Sequence, residues 1–312
     1  MKYLKLVPDN TKIPFMRFRM VGIVLSTILT IASIVLLFAR GLNYGIDFEG
    51  GILIEIGAEQ AVQLAPLRSG LNTLGLGDVA IQNFGSPQEV LIRIQRQAGE
   101  ADAQAAAVEK VKAKVSEIIP GEVSYRRVEF VGPKVSGELV QVGVEAVLIS
   151  LAAILVYIWF RFEWQFGLAA VITTFHDVMM TIGVFSLTGM QFDLTIIAAL
   201  LAIVGYSLND TVVVFDRIRE NLRKYRKMDL RELIDLTINE TLSRTTMTSF
   251  TTLLAVLALF IFGGEVIHGF AAAMIWGILL GTYSSIFVAA PLLPWLKVRR
   301  DFGEMTEAKA KP

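Results

Sequence analysis

Asp210 sits in "VGYSLNDTVVVFDRIREN", residues 204–221, a stretch that opens as an apolar run and closes as a basic surface. Asn209 and Thr211 flank it. A second acid, Asp177, follows His176 inside "VITTFHDVMMTIGVF", and Arg244 begins the run "RTTMTSFTTLLAV". A carboxylate in hydrocarbon costs at least about 2.5–3.5 kcal/mol on insertion scales, and aspartate is too short to reach far toward water. Two outcomes lower that cost: the group takes up a proton, or it pairs with a cation. A carboxyl that alternates between the two as helices move is a proton carrier. The membrane potential supplies about 2.3 kcal/mol per charge per 100 mV for such a cycle. Asp210 and Arg244 are the candidates for that alternation, and Asp177 is a third candidate for the relay. Plainer readings stand beside this one. Asp210 fits a structural hydrogen bond to a nearby Ser or Thr, Arg244 fits positive flanking of a span, and the His176–Asp177 pair fits helix packing.

The polar residues around these groups fall in stripes. Thr174, Asp177 and Thr181 recur at i, i+3 and i+7, one helical face. Ser207 and Asp210 share a face, with Tyr206 adjoining, and Thr241, Thr245, Thr248 and Thr252 form a third stripe beside Arg244. Such faces are expected to point into a bundle of helices, where partners exist.

The elements that must position them are transmembrane helices. The 312 residues are 54% hydrophobic with a mean hydropathy of +0.57, against about 45–50% apolar for a soluble domain. The excess gathers in six runs, roughly 19–39, 139–160, 165–187, 194–215, 246–262 and 267–293, each long enough to cross about 30 Å of hydrocarbon. Span 1 is too long for a signal-peptide core and reads as an uncleaved helix. Lys and Arg gather before span 1 (residues 1–18), in a 4–5 loop at 216–245, and in a tail at 296–312. The "TGMQFD" and "GGEV" connections carry neither residue. Both termini and the 4–5 loop are therefore expected in the cytoplasm, with residues 40–137 outside and spans 2–6 forming a bundle over 138–295. The 4–5 cluster reads first as a topology signal and second as a lipid site. Net charge is zero, which implies no pull toward nucleic acid. Cysteine is absent, so disulfides, thiol catalysis and Cys-based metal sites are excluded.

Residues 40–137 suffice for one small domain. A strand is expected after Gly51, alternating apolar and polar; then a helix over 61–74, strands in "DVAIQNF" and "EVLIRIQ" joined by Gly85-Ser86-Pro87, a helix over 100–119, and a last strand in "EVSYRRVEFVG". That order, β-α-β-β-α-β, is that of a ferredoxin-like split βαβ sheet. No nucleophile–base pair is visible there, so binding is the economical reading and no enzyme is expected. Gly50-Gly51 marks a turn or a hinge. In span 6, Gly269, Ala273, Gly277, Gly281 and Ser285 recur every four residues, a ladder that admits a close helix in this chain or another.

Three motifs then bear a likeness. "GIDFEGG" after span 1, "HDV" in span 3 and the long span 4 motif resemble the signatures of the SecF family of bacterial protein-export membrane subunits, and "LSRTTMTS" follows the same pattern. Gly50, Gly51, Gly205, Ser207, Asn209 and Asp210 fall in these motifs. The resemblance covers essentially the whole chain. It implies a six-span half of a resistance-nodulation-division unit completed by SecD, working with the SecYEG channel and SecA, with YajC a further candidate partner, in the bacterial inner membrane. It also implies unfolded preprotein as client, protons as the only coupling ion with no cofactor or metal, and the family's aspartate and arginine at Asp210 and Arg244. Two other readings remain: half of a small-molecule proton antiporter of the same superfamily, and a scaffold that holds a partner. The outer domain has few aromatics (Tyr44, Phe48, Phe84, Tyr125 and Phe130) to line a small-molecule pocket.

Overall fold

The structure is a computed structural model, and it describes residue 8 and residues 11–77, 79–97 and 101–298. The terminal basic residues Lys2, Lys5, Arg299, Arg300, Lys309 and Lys311 lie outside that range. Six helices are long and apolar enough to cross a membrane: α1 (Arg19–Arg40), α5 (Pro133–Arg161), α6 (Trp164–Thr188), α7 (Leu194–Lys224), α8 (Leu230–Phe262) and α9 (Glu265–Ser284). Between α1 and α5 come β1 (Asn43–Tyr44), α2 (Ile46–Glu49), β2 (Gly51–Ala58), α3 (Leu64–Asn72), β3 (Val79–Phe84), β4 (Ser86–Ile94), α4 (Ala101–Ile118) and β5 (Val123–Val131). A further two-residue strand, β6 (Gln191–Phe192), lies between α6 and α7, and α10 (Ala290–Leu292) closes the described helices.

Two helices outrun the apolar runs that announced them. α7 has 31 residues and α8 has 33, about 46 and 50 Å at 1.5 Å per residue. The stretch 216–245, expected as a loop, is helical except for residues 225–229. Side chains carry those helices past the hydrocarbon. Arg217 pairs with Glu220 and Glu240 at 2.7 Å, and Asn221 donates to Thr237 and Glu240. Asp229 caps α8 by accepting the N–H of Arg231 at 2.9 Å. The segment before α1 docks on the same end of α8: Asn239 exchanges two hydrogen bonds with Ile13, and Asp235 accepts the N–H of Met16.

Span 6 also departs from regular helix. After α9, residues Ser285–Ala289 form one π-helical turn. Pro291 has no N–H to offer the carbonyl of residue 287, and the ladder is irregular in the turn before it.

The small domain is a four-stranded antiparallel sheet in the order β3-β4-β2-β5. The expected elements are present in the expected order. β2 differs from its expected alternation, because it is buried over nearly its whole length. It is a central strand covered on both faces. Ile52, Ile54 and Ile56 pack with Leu67, Leu71, Val111 and Val115 of α3 and α4. Leu53 and Leu91 pack with Ile46 on the other face. The predicted Gly85-Ser86-Pro87 turn tightens onto Gly85, at φ +81°, and Ser86 already belongs to β4.

The domain is tied to the bundle at a third place besides the ends of α1 and α5. β1 pairs in parallel with β6, joining Asn43 to Gln191 and Tyr44 to Phe192. Arg40 donates to the carbonyl of Leu187 and Asn43 to that of Gly189. Asp47 accepts the N–H of Leu194, the first residue of α7, at 3.1 Å. Tyr44, Phe48, Phe185 and Phe192 pack ring against ring around this joint. Below the sheet, Arg93 donates to the carbonyl of Tyr44; burial draws its guanidinium below the usual value and Glu49 opposes the shift.

Candidate functional site: two buried acids in the bundle

Both aspartates are inside. Asp177 is 0% exposed and Asp210 5%, as the stripes required. Asp177 receives hydroxyls from two other helices: Ser207 of α7 donates to Oδ2 at 2.5 Å and Ser284 of α9 donates to the same oxygen at 2.8 Å. Its other oxygen lies 2.8 Å from Nδ1 of His176. Asp210 is held from two sides. Thr245 of α8 donates to Oδ1 at 2.7 Å, and Ser285 of the π turn donates to Oδ2 at 2.5 Å. Ser207 and Asp210 stand one turn apart on α7, and Ser284 and Ser285 are consecutive. The acids therefore hang on one lattice of hydroxyls from three helices.

Ser284 and Ser285 each have a second acceptor in reach. Ser285 Oγ is 3.1 Å from the carbonyl of Thr282, and Ser284 Oγ is 3.2 Å from that of Gly281. A serine hydroxyl is one donor and two acceptor lone pairs, and its hydrogen rotates to suit. Facing a carboxylate it donates. Facing a protonated carboxyl it can turn its hydrogen to the backbone and accept. The lattice thus serves either charge state of either acid without moving a helix axis. A further chain, Tyr206 to Ser249 to Thr282, stitches α7, α8 and α9 one layer away.

Arg244 is not at Asp210. It is exposed, and among the described residues neither it nor Asp210 makes an ion pair. Thr245, its immediate neighbour, occupies the position beside the carboxylate. Gly205 and Asn209 are exposed on the outer face of α7, and a Cβ at Gly205 would meet open space; they are not part of the acid lattice. Of the threonine stripe, Thr241 and Thr245 are buried, while Thr248 and Thr252 are half-buried. His268 stacks on Phe260 at 3.9 Å between centroids, near the small-domain end.

The small-residue ladder meshes within the chain. A Cβ at Gly277 would fall 2.3 Å from Ile203 Cγ1, one at Gly281 would fall 3.2 Å from Ser207 Cβ, and one at Gly269 would fall 3.3 Å from Ile196 Cδ1. Ala273 is buried alongside. Its partner is α7, so the ladder seats the helix that carries Asp210. The last rung, Ser285, read from spacing as a packing residue, is a hydrogen-bond donor to Asp210. Ser284 and Thr245 also escaped as ligands of the acids. The signal for the serines was a pair of adjacent hydroxyls inside an apolar span, where a buried polar partner justifies them.

Gly50 and Gly51 are a required turn. Gly50 has φ +71° and Gly51 φ +129°, and a Cβ on Gly51 would lie 2.6 Å from the carbonyl oxygen of Ile94. Glycine alone fits where the chain turns from α2 into the centre of the sheet.

The fold and site define a multi-pass membrane protein: a six-helix bundle around two buried carboxyls, with a small α/β domain between its first two spans. Residues 110–299 match the model of the family described as "Protein export membrane protein SecD/SecF, C-terminal", and residues 35–62 match that of the "SecD/SecF GG Motif". The chain belongs to the SecD/SecF family. It is 47% identical over 297 residues to the protein translocase subunit SecF of Rickettsia felis, covering 95% of this chain and 96% of that one. It is 45% identical over 297 residues to the SecF of Rickettsia prowazekii, covering 95% of each. Among solved structures, a crystal structure of SecDF from Thermus thermophilus, described as a translocon-associated membrane protein, superposes with a TM-score of 0.84 at 38% identity. That match covers 94% of this chain and 40% of the other. SecDF in a super-membrane-facing form gives 0.64 at 36% identity, covering 98% and 41%. This chain therefore spans well under half the length of those SecDF chains, and its arrangement lies nearer the first.

Proposed function

We propose that this chain is the SecF subunit of a SecDF complex and couples the proton-motive force to late stages of preprotein export across the bacterial inner membrane. The observation that carries the reading is Asp210, buried at mid-bundle and held only by hydroxyls from α8 and the π turn. A hydroxyl cage leaves the acid free to exist in either protonation state, whereas a permanent ion pair would fix it as an anion. In the working cycle, a shift of α8 exchanges Thr245 for Arg244 beside Asp210, and the proton leaves as the guanidinium arrives. A proton shifts a conformational equilibrium only by its differential affinity for the two states, and the exchange of partner provides that difference. Movement of α7 reaches the small domain through Asp47 and the β1–β6 joint.

SecD supplies the missing half of the unit. Support comes from the length of the SecDF chains this one matches and from the exposed outer face of α7, where Gly205 and Asn209 lie. Both termini face the cytoplasm and the small domain faces outward, where it meets unfolded preprotein delivered by SecYEG and SecA. YajC is an accessory partner. Protons are the only coupling ion, and the chain performs no covalent chemistry.

The test is Asp210→Asn in the SecD-containing complex, reconstituted in vesicles with the channel and ATPase. Potential-driven completion of export is expected to be lost while insertion and assembly with SecD persist. Normal potential-driven export in that variant overturns the reading.

A further inference from the structure

The relay at Asp210 leaves one buried titratable pair unused. The structure assigns His176 and Asp177 to a second proton-holding site, in which one proton is shared between Nδ1 of His176 and Oδ1 of Asp177 and enters through His176 Nε2. The inference deepens the reading of the bundle as a proton carrier, and it rests on different atoms.

The hydrogen bonds fix where the proton sits. Oδ2 of Asp177 already accepts the hydroxyls of Ser207 and Ser284. A proton added to this carboxyl therefore goes to Oδ1, which faces Nδ1 of His176 at 2.8 Å. His176 is 5% exposed, and its Nε2 is buried with no partner, an exception among the polar atoms of this cluster. A buried unsatisfied polar atom costs about 1–3 kcal/mol. The hydroxyls of Ser207 and Ser284 and Nδ1 of His176 are engaged at Asp177, so the open nitrogen is the port through which the pair exchanges.

The proton count closes. With Asp177 ionised, imidazole carries its hydrogen on Nδ1 and donates it to Oδ1. When Nε2 takes up a proton, the Nδ1 hydrogen passes to Oδ1. The result is a neutral imidazole bearing hydrogen on Nε2 beside a neutral carboxyl, with one proton gained and no cation left in the apolar interior. Of the elements packed on α6, α7 carries Asp210, and α9 carries Tyr283, whose hydroxyl bonds Gly22 and Ser26 of α1. The described residues of α1 and α5 bury no charged side chain. No cation among them competes for the new proton.

The two sites are coupled through adjacent serines. Ser284 serves Asp177 and Ser285 serves Asp210, each with a carbonyl three residues back as its alternative acceptor. Neutralising either acid reverses one hydroxyl of that step.

The chain contains two histidines, His176 and His268, which makes the test direct. The full chain, labelled with nitrogen-15 in its histidine rings and placed in lipid nanodiscs, is titrated from about pH 8 to 5 by NMR. The His268→Gln variant tells the two sets of signals apart, and the unsubstituted chain carries the same readout. The expected result is an exchange of character: Nδ1 passes from protonated to acceptor and Nε2 from acceptor to protonated. In Asp177→Asn that exchange disappears. Both nitrogens protonated at low pH, or no change across the range, overturns the shared-proton site. Exchange of tautomers alongside normal export by Asp210→Asn would remove the Asp210 coupling and leave this site standing.

Discussion

Oδ2 of Asp47 accepts the N–H of Leu194 at 3.1 Å, so a residue of the outer-domain motif "GIDFEGG" caps the helix that holds Asp210. Asp193 caps the same helix from within, accepting from Thr195 and Ile196. Two carboxylates at one helix N-terminus match the positive end of its dipole.

Removing the first of them tests the joint. Asp47→Ala leaves the Leu194 N–H without its partner and is expected to cost about 1–3 kcal/mol. Amide exchange at Leu194 should quicken while exchange at Ile196, served by Asp193, changes little. Equal acceleration at both would mean that Asp47 does not act through this bond.

The contact between α7 and α9 makes a second prediction. Gly277→Ala drives a methyl into three atoms of Ile203, and overpacking of this kind costs about 1–3 kcal/mol. Ile203→Ala in the same chain should recover part of the loss, giving a coupling energy in a double-mutant cycle of thermal unfolding. Additive effects would place the strain elsewhere.

The paired glycines rank unequally. Gly51→Ala combines φ +129° with a 2.6 Å approach to a backbone oxygen, while Gly50→Ala at φ +71° meets the carbonyl of Val131 at 3.1 Å. Left-handed strain costs about 1–3 kcal/mol; both methyls would meet backbone oxygens, which no side-chain rotation moves, and the approach at Gly51 is the closer by 0.5 Å. Unfolding of the small domain should shift further for Gly51→Ala; the reverse order would contradict the geometry.

A pH dependence belongs to the cap at Asp229, at the start of α8. The N–H of Arg231, first, holds its carboxyl below the ordinary value, opposed by burial and helped by Glu232 and Leu230. A depressed folded value means that the cap contributes fully above the unfolded value, about 3.9, and fades as pH falls through the lower folded one. Thermal unfolding of Asp229→Asn should match the parent in strong acid and fall below it near neutrality. A constant gap at all pH would show that charge is not involved.

The sequence made the acids, their inward faces and the order of the small-domain elements legible, because burial of a polar residue in a long apolar run has few physical solutions. The placement of Arg244 was not legible. Arg244 and Thr245 are adjacent, and a single residue step around a helix decides which one meets Asp210. The ends of α7 and α8 were hidden for another reason. Loss of hydropathy marks the edge of hydrocarbon, whereas Arg217, Asn221, Thr237 and Glu240 continue the helices by polar bonds between them and Asp229 caps the second. The β1–β6 pairing escaped because two-residue strands carry no period to read.

The extra residue in the turn at Ser285–Ala289 acts as a phase slip within one rod. Before it, α9 keeps the rotational setting that meshes its glycines with Ile203 and Ser207. Within it, Phe287 stacks on Tyr283 and packs against Gly22 of α1 and the ring of Phe15 at 5.9 Å. One rod thus serves α7 on one side and α1 on the other, and its irregular turn opens at the serine that holds Asp210.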